Sequence, residues 1–223
     1  MCYRAGNHGG CLAQLYVIDP IEALGDGPFV LGPSNEVQPV FLSQGSLDGA
    51  CGPYSLFMAL LITGVIDYDH VTNLDLSDRR SAVGKLFSAL GEFSTLMREG
   101  SHLGDLEALV ATALPKKVRI ATCEDTGKNC REFVVNHLRE NHPVVLGLDT
   151  QEGGHWVVVI GFEYDESGVR RFMLLDPSEP EPDVCAWNGL IEARGTGGRY
   201  PYAWWSDEER KARMEHALAV WRR

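Results

Sequence analysis

Four residues carry chemistry that the rest of the chain has to position: Gln44, Cys51, His155 and Asp176. Cys51 stands where the loop Asp48-Gly49-Ala50 gives way to an apolar run, the point at which a helix should begin. A helix N-terminus carries partial positive charge and unpaired N–H groups, and both favour the thiolate, the reactive form of cysteine. Gly52 removes a side chain beside the sulfur and would let a substrate approach closely. A nucleophilic thiol needs a base within reach and a third group to orient that base. His155 follows the Gly153-Gly154 turn and opens an apolar strand. The hairpin after it turns near Glu166–Ser167, which sets Asp176 opposite Val157. Asp176 therefore ends its strand at the sheet edge where His155 begins its own, and a bulge would not separate them far. Seven residues before Cys51, Gln44 offers an amide donor. With the Cys51 backbone N–H it would supply the two donors that an oxyanion requires.

The other histidines fit this role less well. His8 lies in a glycine-rich tail, His70 and His102 are flanked by loop residues, and His137 and His142 bracket a helix end. His216 falls on an expected terminal helix. Asn188, in a loop after Trp187, is the alternative orienting residue. Trp156 directly follows the base. It either shields the Cys51–His155 pair or fills the core, and with Gly52 and Gly154 it is expected to border the substrate.

These residues need elements to hold them. Cys51-Gly52-Pro53 opens a helix to about Thr63, with Gly64 as its stop. Helices are expected over 79–97 and 104–114, and from an Asn129 N-cap with Glu132 three residues on to Glu140. Strands are expected over 12–18, 37–42 and 118–122. The runs 143–148, 155–164 and 171–175, separated by turn signals, read as an antiparallel meander. Its middle strand, Trp156 to Ile160, is apolar on both faces and should be central. Residues 178–203 read as irregular, and Ser206 with Glu209 reads as a capping box opening a final helix. Trp204 and Trp205 would pin that helix or form a lid. The plan is α+β: an N-terminal helical part, with the nucleophile at a helix start, packed on a C-terminal antiparallel sheet. We divide the chain into an N-terminal arm (1–40), a catalytic core (41–178) and a C-terminal extension with a terminal helix (179–223).

Composition narrows the partners. The chain has 223 residues with a formal charge of −11 and a sequence pI near 5.0. An acidic surface repels phosphate backbones and anionic membranes, so neither nucleic acid nor membrane is an expected partner. No stretch has the length of a membrane span, and the first residues lack a signal-peptide pattern. The expected location is cytoplasmic, or outside the cell through a specialised secretion system. The six cysteines are scattered, and Cys2/Cys11 and Cys123/Cys130 are spaced too widely for a zinc knuckle. No metal and no cofactor is expected.

The residues resemble the papain-like superfamily of cysteine peptidases, and more narrowly the bacterial peptidases that remove double-glycine leaders from bacteriocins. The matching stretches are Gln44, then Asp48-Gly49-Ala50-Cys51-Gly52-Pro53-Tyr54-Ser55-Leu56. They continue with Gly154-His155-Trp156-Val157-Val158-Val159-Ile160-Gly161-Phe162 and Leu174-Leu175-Asp176-Pro177. The resemblance covers about residues 40 to 178. It implies a papain-like fold with Cys51 as nucleophile, His155 as general base, Asp176 as orienting acid and Gln44 as oxyanion donor, acting on a protein or peptide. The best-known members of that family are fused to membrane transporters; this sequence holds no such domain. Gln44 lies slightly further from the cysteine than is usual there, and the segment after Ser178 has no counterpart.

Three functions remain open. The first is a thiol hydrolase cutting a peptide or isopeptide bond through an acyl-enzyme. The second is a glutamine deamidase or acyl-transfer effector or toxin with the same residues. The third is a binding module on an inactive peptidase fold. Residues 1–40 are long enough to occlude a cleft, so self-inhibition by this arm is an added expectation.

Overall fold

The structure, a computed structural model, describes residues 13–45, 49–73, 78–92 and 100–223. Strand β1 (Gln14–Val17) is followed by β2 (Glu22–Leu24), β3 (Gly27–Leu31) and β4 (Val37–Pro39). Helices α1 (Cys51–Ile62), α2 (Tyr68–Thr72), α3 (Ala82–Glu92) and α4 (Leu103–Ala113) come next, then β5 (Val118–Cys123) and α5 (Lys128–Arg139). The remainder is strand: β6 (Val144–Thr150), β7 (Gly154–Asp165), β8 (Gly168–Leu175), β9 (Gly189–Glu192), β10 (Tyr202–Trp205) and β11 (Glu209–Arg222). The class is α+β, as the order of sequence patterns indicates.

Helix α1 has no charged residue and buries every side chain except Tyr54. A helix apolar all round can only lie inside, and α1 packs against β7 and β6. It stops at Gly64, where φ is +64° and the N–H groups of Gly64 and Val65 return to the carbonyls of Leu61 and Leu60. Those two bonds satisfy carbonyls that the helix end would orphan.

The meander over β6, β7 and β8 is antiparallel, and its middle strand is buried from Trp156 to Phe162. The register pairs Val158 with Leu175 and Val159 with Leu174, which carries Asp176 past the end of β8 toward the start of β7. The meander does not stay open. Strands β9, β10 and β11 continue from β8 back to β6, giving the order β7-β6-β11-β10-β9-β8 with β7 and β8 also paired. Six antiparallel strands thus close on themselves. Two of them are long enough to serve two neighbours along one edge. β7 pairs with β6 over its first half and with β1 over its second. β11 pairs with β10 at its start and β5 at its end, with β6 along the opposite edge.

Strand β11 corrects the expected terminal helix from Ser206. Glu209-Arg-Lys-Ala-Arg-Met-Glu has helix-forming composition, but Ala212 and Met214 alternate inward and 217–220 are fully buried. The slot between β6 and the pair β5/β10 completes the backbone hydrogen bonding of all three, and that outweighs local propensity. The segment expected to be irregular, 178–203, likewise contributes β9 and the first residues of β10. Three of the six ring strands therefore come from 179–223.

Smaller differences are local. Gly127, not Asn129, is the N-cap of α5, with φ +64°. α3 begins at Ala82 rather than 79, and the stretch expected to continue it beyond 92 lies outside the described residues. The described part of the N-terminal arm packs on the domain, β1 against β7 and β2–β4 as a separate three-stranded sheet. Among the described residues no helix is long and apolar enough to cross a membrane.

Candidate active site

Cys51 is the first residue of α1 and is buried, with a free thiol. The helix has no side-chain cap and no acidic residue in its first turn, so the positive end of its dipole faces the sulfur unopposed. The helix is fixed to the base-bearing strand one turn later. Ser55, the last residue of the Cys-Gly-Pro-Tyr-Ser stretch, donates its buried hydroxyl to the Trp156 carbonyl at 3.0 Å. That carbonyl belongs to the residue after His155, so one bond ties the helix that carries Cys51 to the strand that carries His155.

His155 is the second residue of β7 and its Nε2 lies 2.7 Å from Asp176 Oδ1. Cys51 borders the same cavity and is close enough to act on the charge of the ring. With Nε2 engaged by the carboxylate, Nδ1 is the nitrogen left for the thiol. Burial by itself pulls this imidazole down, but hydrogen bonds and charge from Asp176 and Cys51 outweigh it and hold the ring up at about 9. This surrounding favours the charged form of the ring beside the sulfur. Trp204 of β10 stacks on it at 5.3 Å between ring centroids, the planes 24° apart.

Asp176 is completely buried. Its Oδ1 also accepts the Ser178 backbone N–H at 2.9 Å, an Asx turn across Pro177. Asn188, the alternative orienting residue, does not act on His155. It accepts the Asp176 N–H at 2.7 Å and donates to the Asp176 carbonyl at 2.9 Å, so it fixes the backbone of the acid instead. Ser178 Oγ approaches His155 Nε2 at 3.3 Å.

A cavity of about 520 Å³ opens over this group, bordered by Gln44, Cys51, Ser101, His155, Trp156 and His216. Gln44 is tied down by its N–H to the Pro177 carbonyl at 2.8 Å, and its side-chain oxygen is buried with no hydrogen-bond partner among the described residues. A half-turn of the amide would aim its NH₂ where the oxygen points. Another cavity, of about 410 Å³ beside β3 and the end of α1, has no cysteine or histidine in its wall.

The three residues expected to border the substrate behave differently. Gly154 lies on the cavity rim with open space where a Cβ would be. Trp156 is buried, and its indole N–H donates to the Ser101 carbonyl at 2.9 Å. A Cβ on Gly52 would stand 1.9 Å from Ser101 Oγ and 3.2 Å from Trp156 Cδ1. The space beside Gly52 is thus filled by the protein's own Ser101. None of residues 13–40 borders this cavity; residues 1–12, also part of the arm expected to occlude it, lie outside the described residues.

The sequence pattern did not point to Ser178 or Ser101, and it set Trp204 and His216 beside or on a terminal helix. Ser178 had a local signal in Asp-Pro-Ser, a turn-forming triplet. Trp204 and His216 arrive through non-local strand pairing. His216 reaches the cavity because β11 is a strand with a bulge between Met214 and His216, and its Nδ1 is buried without a partner. Of the remaining described cysteines, Cys130 is pushed up to about 12, first by burial and then by neighbouring Cys123.

No family description matches the sequence, and no curated protein matches it. Among solved structures the chain is similar to one titled "Crystal structure of UfSP from C. elegans". The likeness covers 94% of this chain and 34% of that one, at 12% identity and a TM-score of 0.42. The chain spans about a third of that protein's length, and a likeness this distant carries no argument about fold or function.

Proposed function

We propose that the protein is a cysteine peptidase, a papain-like thiol hydrolase with Cys51 as nucleophile, His155 as base and acid, and Asp176 as the group that orients the ring. The observation that carries this reading is one imidazole hydrogen-bonded to a fully buried carboxylate and sharing the wall of an open cavity with a thiol at a helix N-terminus. Asp176 holds the ring in one orientation and favours its charged form, so the ring can take the Cys51 proton as the sulfur attacks. Sulfur adds to the substrate carbonyl carbon as the C=O π electrons move to oxygen. The Cys51 N–H and the Gln44 amide are the nearby donors for that oxyanion. Collapse breaks the C–N bond, and the imidazolium passes its proton to the departing amine. The ring, now neutral, takes a proton from water, hydroxide attacks the thioester, and acid and thiol are released. Trp204, stacked over the ring, limits solvent at the base.

Deamidation of glutamine or acyl transfer to an amine would use the same steps with a different leaving group or acceptor. Mass spectrometry of a peptide mixture treated with the protein separates the outcomes. Peptidase action creates new termini that depend on Cys51, deamidation changes mass without cutting, and an inactive module changes nothing. Peptides with double-glycine leaders are the first defined substrates to assay. The proposal fails if wild type and Cys51→Ala give identical termini.

A further inference from the structure

Helix α5 ends in a turn of defined shape. Asn141 adopts φ +62°. The His142 N–H returns to the His137 carbonyl at 3.0 Å, and the Asn141 N–H to the Leu138 carbonyl at 2.9 Å. These are the two bonds of a Schellman motif, which brings together the side chains at its two ends, commonly an apolar pair. Here both ends are histidine. Their Nδ1 atoms stand 3.3 Å apart, and Glu140 Oε2 lies 3.5 Å from His142 Nδ1. All three donor atoms fall within 4.8 Å of one another. Trp221 of β11 backs the pair, stacked on His142 at 4.6 Å and on His137 at 5.6 Å. Phe133, one turn earlier, flanks His137 at 4.4 Å. The rings are therefore held in place by aromatic walls and a rigid turn.

We propose that His137, Glu140 and His142 form a binding site for a divalent transition-metal ion, with zinc the best fit, leaving the fourth position to water. With zinc–nitrogen bonds of about 2.0–2.1 Å, the nitrogen separation of 3.3 Å corresponds to an angle of roughly 105° at the metal. With a zinc–oxygen bond of about 2.1 Å, the 3.5 Å separation gives roughly 115°. Both angles suit a tetrahedron. Two imidazoles and a carboxylate are a donor set that zinc accepts. The last carbonyls of α5 add the negative end of the helix dipole. None of the three residues borders the Cys51 cavity, so the site is separate from the proposed catalytic group.

The test uses the full chain carrying Cys51→Ala, which removes the thiol most able to compete for metal. Zinc is titrated against a chromophoric chelator. Cobalt(II) is titrated in parallel, read by visible d–d absorption and by tryptophan fluorescence. The expected result is one equivalent bound, with a tetrahedral cobalt spectrum and quenching that disappears in Trp221→Phe. His137→Ala and His142→Phe should each weaken binding by more than about 100-fold, beyond the loss typical of an outer partner. His142→Phe keeps a flat ring on Trp221, and circular dichroism checks that the fold is retained. No bound metal in the Cys51→Ala protein would overturn the site and leave a hydrogen-bonded histidine pair. Unchanged affinity in either histidine variant would overturn it equally, and unchanged affinity in Glu140→Gln would remove the carboxylate from the ligand set.

Discussion

Replacing Asp176 with asparagine keeps the size of the side chain and removes its charge. In the wild type Asp176 Oδ1 accepts from His155 Nε2 at 2.7 Å and from the Ser178 N–H at 2.9 Å, with no surface exposed. Burial pulls His155 down, yet Asp176 and Cys51 hold it at about 9. Without the Asp176 charge, burial is opposed only by Cys51, and the ring should titrate at or below its ordinary value of about 6.5. A fall from about 9 to about 6.5 is on the order of 3 kcal/mol of imidazolium stabilisation. Near pH 7.5 the protonated fraction would drop from almost all molecules to about a tenth. Cys51 alkylation by iodoacetamide, followed by mass spectrometry, should slow by roughly tenfold at that pH. The NMR titration of the His155 ring should move with it. Stability follows the same linkage. A pKa raised on folding stabilises fully below the unfolded value and loses that contribution as pH rises through the folded one. Denaturation should therefore show the largest gap between wild type and Asp176→Asn below about pH 6.5, closing near about 9. If the ring still titrates near 9 in the variant, or alkylation stays within about twofold, the reasoning is refuted.

Three further outcomes are expected. Ser55→Ala leaves the buried Trp156 carbonyl unpaired and should cost about 1–3 kcal/mol in urea denaturation; an unshifted midpoint would show that this bond does not dock α1 on β7. Gly52→Ala places a methyl in the space of Ser101 Oγ, so Ser101 must move at a cost of about 1–3 kcal/mol; unchanged melting and unchanged alkylation of Cys51 would contradict the packing described. A chain stopped before Glu209 should fail to fold by circular dichroism and limited proteolysis, because β5, β6 and β10 lose a shared partner; a stable, protease-resistant product would mean that β11 is dispensable.

The parts of the site that local pattern controls were legible in the sequence. Cys51 at a helix start followed from the apolar run and Pro53. The approach of Asp176 to His155 followed from a short turn at Glu166–Ser167 that fixes a hairpin register, and Val158 does pair with Leu175. What was not legible depends on partners distant in sequence. Helix-forming composition in 209–215 concealed a strand whose identity is set by the slot it fills. With β11 read as a helix, neither Trp204 on His155 nor His216 on the cavity wall had a route to the site. His137 and His142 bracket a helix end in sequence, but only the left-handed Asn141 turns one ring toward the other.

The shared edges of β7 and β11 also set an order of assembly. β11 joins β6, β10 and β5, and it is the last of them to be synthesised. Until it emerges from the ribosome, β6 and β10 each present unpaired N–H and C=O groups, the kind of template on which neighbouring chains aggregate. The nascent protein should therefore depend on chaperones until β11 has emerged. Ribosome-bound chains arrested before and after β11 clears the ribosome would differ sharply in protease resistance if that is so, and equal resistance would exclude it.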